Sequence, residues 1–389
     1  MKAKRVFLIV LDSVGAGEMP DAPLFGDIGV HTLQSVWETN KLNIPNLVKL
    51  GIGNIDGLDF LGKVENPMAS VARMTERSAG KDTTVGHWEI AGYVSTSPLP
   101  TFPNGFDESI LEKVRRISGR TLLCNKPYSG TAVINDYGKE AKEKKAVIIY
   151  TSADSVLQLA AQVNGVMELD ELYAICEQLR KELTSKNDRV GRIIARPYIE
   201  DENGNFVRTA DRRDYSLAPP TILLPEAVKR SGKDSIAIGK ISDIFAGVGF
   251  TASERTHSNY EGMNATERFI KADFSGLCFT NLVDFDMCWG HRRDPVSYAN
   301  GLNEFDVWLG KVLPAFREDD VLMITADHGC DPKYTKTTDH TREYTPLIIF
   351  GHNVPHINFG TRSGFSDISA TIAKLLNIDF TTEGQPIEI

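Results

Sequence analysis

Short apolar runs that stop at an aspartate or histidine constrain this chain more than any other feature. Val6-Phe7-Leu8-Ile9-Val10-Leu11 runs straight into Asp12. Leu277 to Val283 leads into Asp284-Phe285-Asp286, with His291 shortly after. Val321 to Thr325 ends in Ala326-Asp327-His328-Gly329, and Thr338-Asp339-His340 precedes the run Pro346 to Phe350. A continuous apolar run bounded in this way reads as a strand buried on both faces, the habit of parallel sheets. Open α/β sheets gather their chemistry beyond the carboxyl ends of the strands. Acids and imidazoles recurring at those ends therefore point to one shared site.

Further apolar runs at Ala146–Tyr150 and Ser235–Ile238 alternate with segments of helical spacing at Ile44–Leu50, Leu169–Lys186, Tyr260–Ala272 and Tyr298–Leu313. Strand–helix alternation predicts an α/β fold with a mostly parallel sheet covered by helices. The middle of the chain breaks this pattern. From about Ser95 to Leu217 the strand-end chemistry is interrupted, beginning with the turn-rich Pro-Leu-Pro-Thr-Phe-Pro. The stretch ends rich in arginine (Arg189, Arg192, Arg196, Arg208, Arg212 and Arg213), and Pro219-Pro220 follows. At 389 residues the chain has room for two domains, so an inserted domain is expected here.

Charge and cysteine usage exclude several classes of function. A net charge of −9 lacks the basic face that a nucleic-acid backbone demands, although a small phosphorylated substrate needs only local positive charge. Five scattered cysteines without C-x-x-C spacing argue against a disulfide framework or a thiolate zinc site, and for a reducing compartment. The start M-K-A-K-R followed by an apolar run resembles a signal peptide, but the run is short and meets Asp12 instead of a small-residue cleavage site. No apolar stretch approaches the ~20 residues needed to span a bilayer. A cytoplasmic protein with no membrane role and no obligate protein partner is expected.

Asp and His together suit Mn, Zn or Fe, whereas all-oxygen sets suit Mg or Ca. Asp286, His291 and His340 are candidates for one metal site, and Asp12, Asp327 and His328 for a second. Two dications ~4 Å apart repel by roughly 17 kcal/mol at an effective dielectric of about 20, so several carboxylates and an anionic ligand are needed to hold them. Three carboxylates leave such a centre slightly positive, which suits a phosphate. An isolated Asp-His pair is more often structural. The repetition of the pattern after apolar runs favours metal binding. His31, His257, His352 and His356 lack that setting and read as surface or packing residues.

A second signal is Ser78-Ala79-Gly80-Lys81-Asp82-Thr83-Thr84-Val85-Gly86-His87-Trp88-Glu89. Glycines, a cation and adjacent hydroxyls at a loop-to-helix junction can present a nucleophile, since metal coordination activates an otherwise weak threonine hydroxyl. Asp82 or Thr83 can equally act as an N-cap, and a helix N-terminus also favours phosphate. The segment is not a Walker A loop.

V-L-D-S-V-G-A-G-E, G-K-D-T-T-V-G-H-W-E, Y-T-S-A-D-S, the G-H-R-R-D-P segment, T-A-D-H-G and T-D-H-T-R-E-Y-T-P-L, in this order over nearly the whole chain, resemble the bacterial phosphopentomutase family of the alkaline phosphatase superfamily. Cys330 departs from the pattern, where asparagine is expected, but it is not an expected ligand. The resemblance implies an alkaline-phosphatase-like core at 1–94 and 217–389 with an inserted α+β cap at 95–216. It implies interconversion of ribose or deoxyribose 1-phosphate and 5-phosphate, two manganese ions, and a sugar bisphosphate that primes a phosphothreonine. The matching positions are Thr83 for the phosphothreonine, Asp286, His291 and His340 for one metal, and Asp12, Asp327 and His328 for the other, which Thr83 also faces. Ser152, Asp154, Arg192, Arg208 and Lys240 match positions around the sugar or its phosphate. A phosphohydrolase with the same centre, and a non-catalytic phosphosugar-binding protein, are the alternatives.

Overall fold

The computed structural model describes residues 1–152, 155–185 and 188–389. These divide into two compact units, Met1–Pro98 with Pro219–Ile389, and Leu99–Ala218.

The first unit is built on an eight-stranded sheet. In spatial order its strands are Ala252–Glu254, Asp234–Ile238, Gly276–Leu282, Arg5–Leu11, Asp320–Thr325, Thr345–Phe350, Ser70–Met74 and Asn358–Arg362. The first five run parallel. Thr345–Phe350 lies antiparallel to both of its neighbours, and Asn358–Arg362 pairs parallel with Ser70–Met74. Every residue of Arg5–Leu11, Gly276–Leu282 and Asp320–Thr325 is buried. This explains why these central strands read as unbroken apolar runs, with no in–out alternation.

Arg5 and Asp320 are the charged exceptions, paired in register at the starts of their strands. Arg5 donates to both Asp320 oxygens, at 2.7 and 2.5 Å, and also to the carbonyls of Ile270 and Ala272 at the end of helix Asn259–Lys271. The polar ends of a strand and a helix are thereby satisfied at the edge opposite to Asp12 and Asp327. The predicted helices form at Pro45–Leu50, Asn259–Lys271 and Pro295–Val312.

The second unit has a mixed sheet in the order Leu122–Pro127, Val147–Thr151, Val156–Gln162, Arg192–Glu200 and Phe206–Arg208, with Arg213–Ser216 also pairing Arg192–Glu200. Glu108–Ser118 and Leu169–Glu182 contribute to one apolar cluster, and Ala132–Lys144 to another that contains Ile148, Tyr150 and Tyr198. The helix expected to reach Lys186 is described as Leu169–Glu182, and Lys186 itself lies outside the described residues.

Candidate metal centre

Each candidate ligand is delivered by a different device. Asp12 follows the last residue of Arg5–Leu11, where the chain turns through Ser13 in the left-handed region (φ 72°). That turn lets the Ser13 N–H donate to Asp327 Oδ1 at 3.1 Å, tying together two adjacent strand ends. Asp286 and His291 are five residues apart, a spacing that an ordinary α-helix places on different faces. Here the segment Phe285–Gly290 is a π-helix, and the His291 N–H donates to the Asp286 carbonyl at 3.0 Å. The wider turn brings both side chains to one side, so that His291 Nε2 lies 3.5 Å from Asp286 Oδ2.

The three histidines share a second feature. Nδ1 of His328 faces the Gly329 carbonyl at 3.1 Å, Nδ1 of His291 the Thr338 carbonyl at 2.5 Å, and Nδ1 of His340 the Lys81 carbonyl at 3.0 Å. A carbonyl only accepts, so each Nδ1 carries a proton, and a ring in its neutral form turns the Nε2 lone pair inward. His340 Nε2 lies 3.1 Å from His291 Nε2 and 3.4 Å from Asp286 Oδ1. His328 Nε2 lies 3.4 Å from Asp12 Oδ1 and 3.2 Å from Asp327 Oδ2. Asp286, His291 and His340 form one group with ligand atoms within 4.8 Å of one another, and Asp12, Asp286 and His328 form a second. Asp286 thus belongs to both groups, a sharing that sequence reasoning did not anticipate.

Asp12 Oδ1, Asp286 Oδ1 and Asp327 Oδ2 are buried without a hydrogen-bond partner among the described residues. Each such acceptor costs at least ~1–3 kcal/mol unless something positive meets it. Converging lone pairs and orphaned carboxylate oxygens are a set of donors suited to divalent cations. Without a cation, protons take that role. Burial, then the charges of Asp327 and Asp286, push Asp12 up to about 6. Burial disfavours charge on His328, but Asp327 and Asp12 outweigh it and hold the imidazole well above its usual range.

Thr83 is the first residue of helix Thr83–Ile90, capped by Asp82 through the N–H groups of Thr84 and Val85. Its hydroxyl is 3.2 Å from His328 Nε2. The helix sits hard against a ligand-bearing strand end: a methyl group at Gly86 would lie 2.3 Å from the Asp327 carbonyl oxygen. One turn after Thr83, the His87 side chain is fully buried. Its Nδ1 donates to the Thr83 carbonyl at 2.8 Å and lies 3.0 Å from Asp327 Oδ2. Asn281 Nδ2 approaches His87 Nε2 at 3.2 Å and donates to Asp12 Oδ2 at 3.0 Å. His87 and Asn281 escaped sequence reasoning, because neither stands at the end of an apolar run.

The remaining candidates are more dispersed. Lys240 follows Asp234–Ile238, and its charge partly opposes the rise that burial, Asp327 and Asp286 impose on Asp12. In the second unit, Arg192 lies 3.5 Å from Asp214 and stands opposite Ser216, while Arg208 donates to the Gly130 carbonyl and stands opposite Tyr198. Their places on strand Arg192–Glu200 are thus about 20 Å apart at ~3.3 Å per residue. Ser152 is partly buried just after Val147–Thr151, and Asp154 lies outside the described residues.

A profile of the Metalloenzyme superfamily matches residues 4–380. A phosphopentomutase of Lachnoclostridium phytofermentans is 50% identical over 98% of this chain and 97% of its own length. One from Acetivibrio thermocellus is 48% identical over 98% of both chains. The crystal structure of a Leishmania mexicana phosphoglycerate mutase, 13% identical, superposes with a TM-score of 0.52 over 99% of this chain and 97% of that one, which speaks to the fold alone. With half of its residues shared over nearly the full length of such relatives, the chain belongs to the phosphopentomutase family of the metalloenzyme superfamily.

Proposed function

We propose that this chain interconverts ribose or 2-deoxyribose 1-phosphate and 5-phosphate by passing a phosphoryl group through Thr83. One observation carries the reading: the Thr83 hydroxyl, at a helix N-terminus, lies 3.2 Å from His328 Nε2 in a centre where one buried carboxylate oxygen each of Asp12, Asp286 and Asp327 lacks a partner among the described residues. Family membership supports the choice of substrate.

Asp286, His291 and His340 would hold one divalent cation and Asp12, Asp327 and His328 a second, which Thr83 faces. When bound, such cations (manganese, by the family pattern) neutralise the transferring phosphoryl oxygens and lower the pKa of the threonine hydroxyl. In the first half-reaction the C1 hydroxyl oxygen of ribose 5-phosphate bonds to the phosphorus of phospho-Thr83. The P–Oγ1 bond breaks, and the hydroxyl proton ends on Oγ1. The 1,5-bisphosphate then reorients. Thr83 Oγ1 attacks the 5-phosphate, and the departing sugar oxygen takes the proton, leaving ribose 1-phosphate and a reloaded threonine. A sugar bisphosphate can prime the cycle by the second half alone.

The phosphate that is not reacting also has to be held. Arg192 and Arg208, with Ser152, Asp154 and Lys240 around the sugar, are the proposed partners, since guanidinium pairs bidentately with phosphate. The unit Leu99–Ala218 is the proposed cap, whose work is to keep water from phospho-Thr83. A cytoplasmic setting accords with the five cysteines being free thiols.

The test is Thr83→Ala with manganese, assayed for ribose 1-phosphate, inorganic phosphate and bound metal together. The variant is expected to keep its metal and lose isomerisation. Undiminished turnover would exclude Thr83. If the unmodified protein released inorganic phosphate as fast as substrate disappeared, the reaction would be hydrolysis instead.

A further inference from the structure

The segment that leads to Thr83, residues 75–82, has no helix or strand of its own. Its place is set by groups that reach in from elsewhere. The buried Glu89 carboxylate accepts from the N–H groups of Arg77 and Ser78, and the Ser95 carbonyl accepts from Ala79 N–H. The carbonyls nearest Thr83 are held differently. His340 Nδ1 donates to the Lys81 carbonyl at 3.0 Å, and Arg342 Nη1 donates to the Gly80 carbonyl at 2.6 Å. Two residues apart on one segment, His340 and Arg342 thus grip consecutive carbonyls just ahead of the threonine.

Arg342 is 2% exposed, and its fork is fully engaged. Nη1 also meets Glu76 Oε2 at 2.6 Å, Nη2 meets the Glu76 carbonyl and Asp21 Oδ2, each at 2.9 Å, and Nε faces Asp21 at 3.2 Å. Asp27 Oδ2 ties the same two segments again, accepting from Arg342 N–H at 2.9 Å and Lys81 Nζ at 2.8 Å. A buried arginine that only balanced charge would need carboxylates. This one spends donors on two carbonyls of an irregular loop, which fixes where that loop lies.

We propose that Arg342 is a positioning residue for phosphoryl transfer, holding the Gly80–Lys81 backbone so that Thr83 keeps its place beside His328. The proposal rests on Thr83 as the phosphoryl carrier. It does not touch the reacting atoms. Its effect is on the rate constant of transfer, because a displacement of about 1 Å at a reacting group costs on the order of 10²-fold.

The test uses the manganese-loaded enzyme as Arg342→Lys and Arg342→Gln, primed with ribose 1,5-bisphosphate. Phosphothreonine per mole and bound manganese are measured first, then the single-turnover rate constant for transfer to ribose 5-phosphate. The lysine variant keeps the charge opposite Asp21 and Glu76 and serves if the glutamine variant does not fold. Near-normal phosphothreonine and manganese with a rate constant about 10²-fold lower supports the proposal. A normal rate constant with phosphothreonine reduced in proportion to folded protein would overturn it, since a merely architectural residue lowers amplitude and not rate. Absence of phosphate from Thr83 in the unmodified enzyme would overturn the underlying reading, and is seen separately from either result.

Discussion

Gly86→Ala is the smallest change that tests how Thr83 is held. A methyl group there would lie 2.3 Å from the Asp327 carbonyl oxygen, 3.0 Å from its carbon and 3.1 Å from Asp327 Cβ. Carbon–oxygen contacts settle near 3.3–3.6 Å, so helix and strand end must part by about 1 Å. Both sides are backbone, and no side chain can swing away to relieve the clash. Overpacking of this kind costs ~1–3 kcal/mol, while alanine regains up to ~1 kcal/mol of helix propensity, leaving a net loss of about 0–2 kcal/mol. The functional loss is larger. Thr83 sits one turn away on the same rigid helix, and a 1 Å misplacement of a reacting group is worth about 10²-fold in rate. Turnover of ribose 5-phosphate, bound manganese and circular-dichroism melting should be measured on one preparation. The expectation is a fall in kcat near two orders of magnitude with most of the protein folded. Loss of metal together with turnover would mean that Asp327 yielded and the helix did not. Wild-type turnover at full metal content would refute the reasoning, because Thr83 would then not depend on this contact.

Arg5→Met should cost about 3–5 kcal/mol, since it leaves Asp320 buried and unpaired, yet turnover per folded molecule should be unchanged because the pair lies at the opposite strand ends from Asp12 and Asp327. Chemical denaturation beside specific activity checks both halves. Glu343 is raised from 4.5 to about 7 by burial, then by Asp331, against hydrogen bonds from Thr341 and Thr32. A raised folded-state pKa means that its contribution to stability is complete below about 4.5 and is lost as pH rises through about 7. Glu343→Gln should therefore flatten the decline in melting temperature of metal-free protein over that window, and an unchanged slope would remove Glu343 as its source.

Strands could be read from the residues alone where burial coincided with a long, unbroken apolar run. Val6–Leu11 and Val321–Thr325 matched strands Arg5–Leu11 and Asp320–Thr325 to within a residue, because both faces are covered and every position is apolar or paired. Ser70–Met74 and Asn358–Arg362 were missed. The first is short and contains Arg73, and the second is an edge strand with no apolar run. At the site, the strand-end position marked Asp12 and Asp327, but nothing in the spacing of Asp286 and His291 announces a π-turn, which is a property of backbone hydrogen bonding. His87, Asn281 and Arg342 were silent for a different reason. Nothing in T-R-E-Y marks Arg342 as buried, and only the folded chain surrounds it with Asp21, Glu76 and the Gly80 carbonyl.

These buried groups also link the chemistry to stability. Just beyond strand ends of the first unit, Asp12 Oδ1, Asp286 Oδ1 and Asp327 Oδ2 are buried carboxylate oxygens with no hydrogen-bond partner among the described residues. Unfolding would return them to water, so they lower stability unless a cation binds. A ligand that binds only the folded form adds RT ln(1 + [L]/Kd), about 4 kcal/mol at a thousandfold excess over Kd. The polar desolvation that makes the empty centre costly is thus what a cation relieves, and the same cation would complete the surroundings of Thr83. Tight cation binding and the proposed role of Thr83 then have one origin. The sheet brings these oxygens together, and Gly86, His87 and Arg342 hold Thr83 against them, so the helix cannot move without disturbing the ligands.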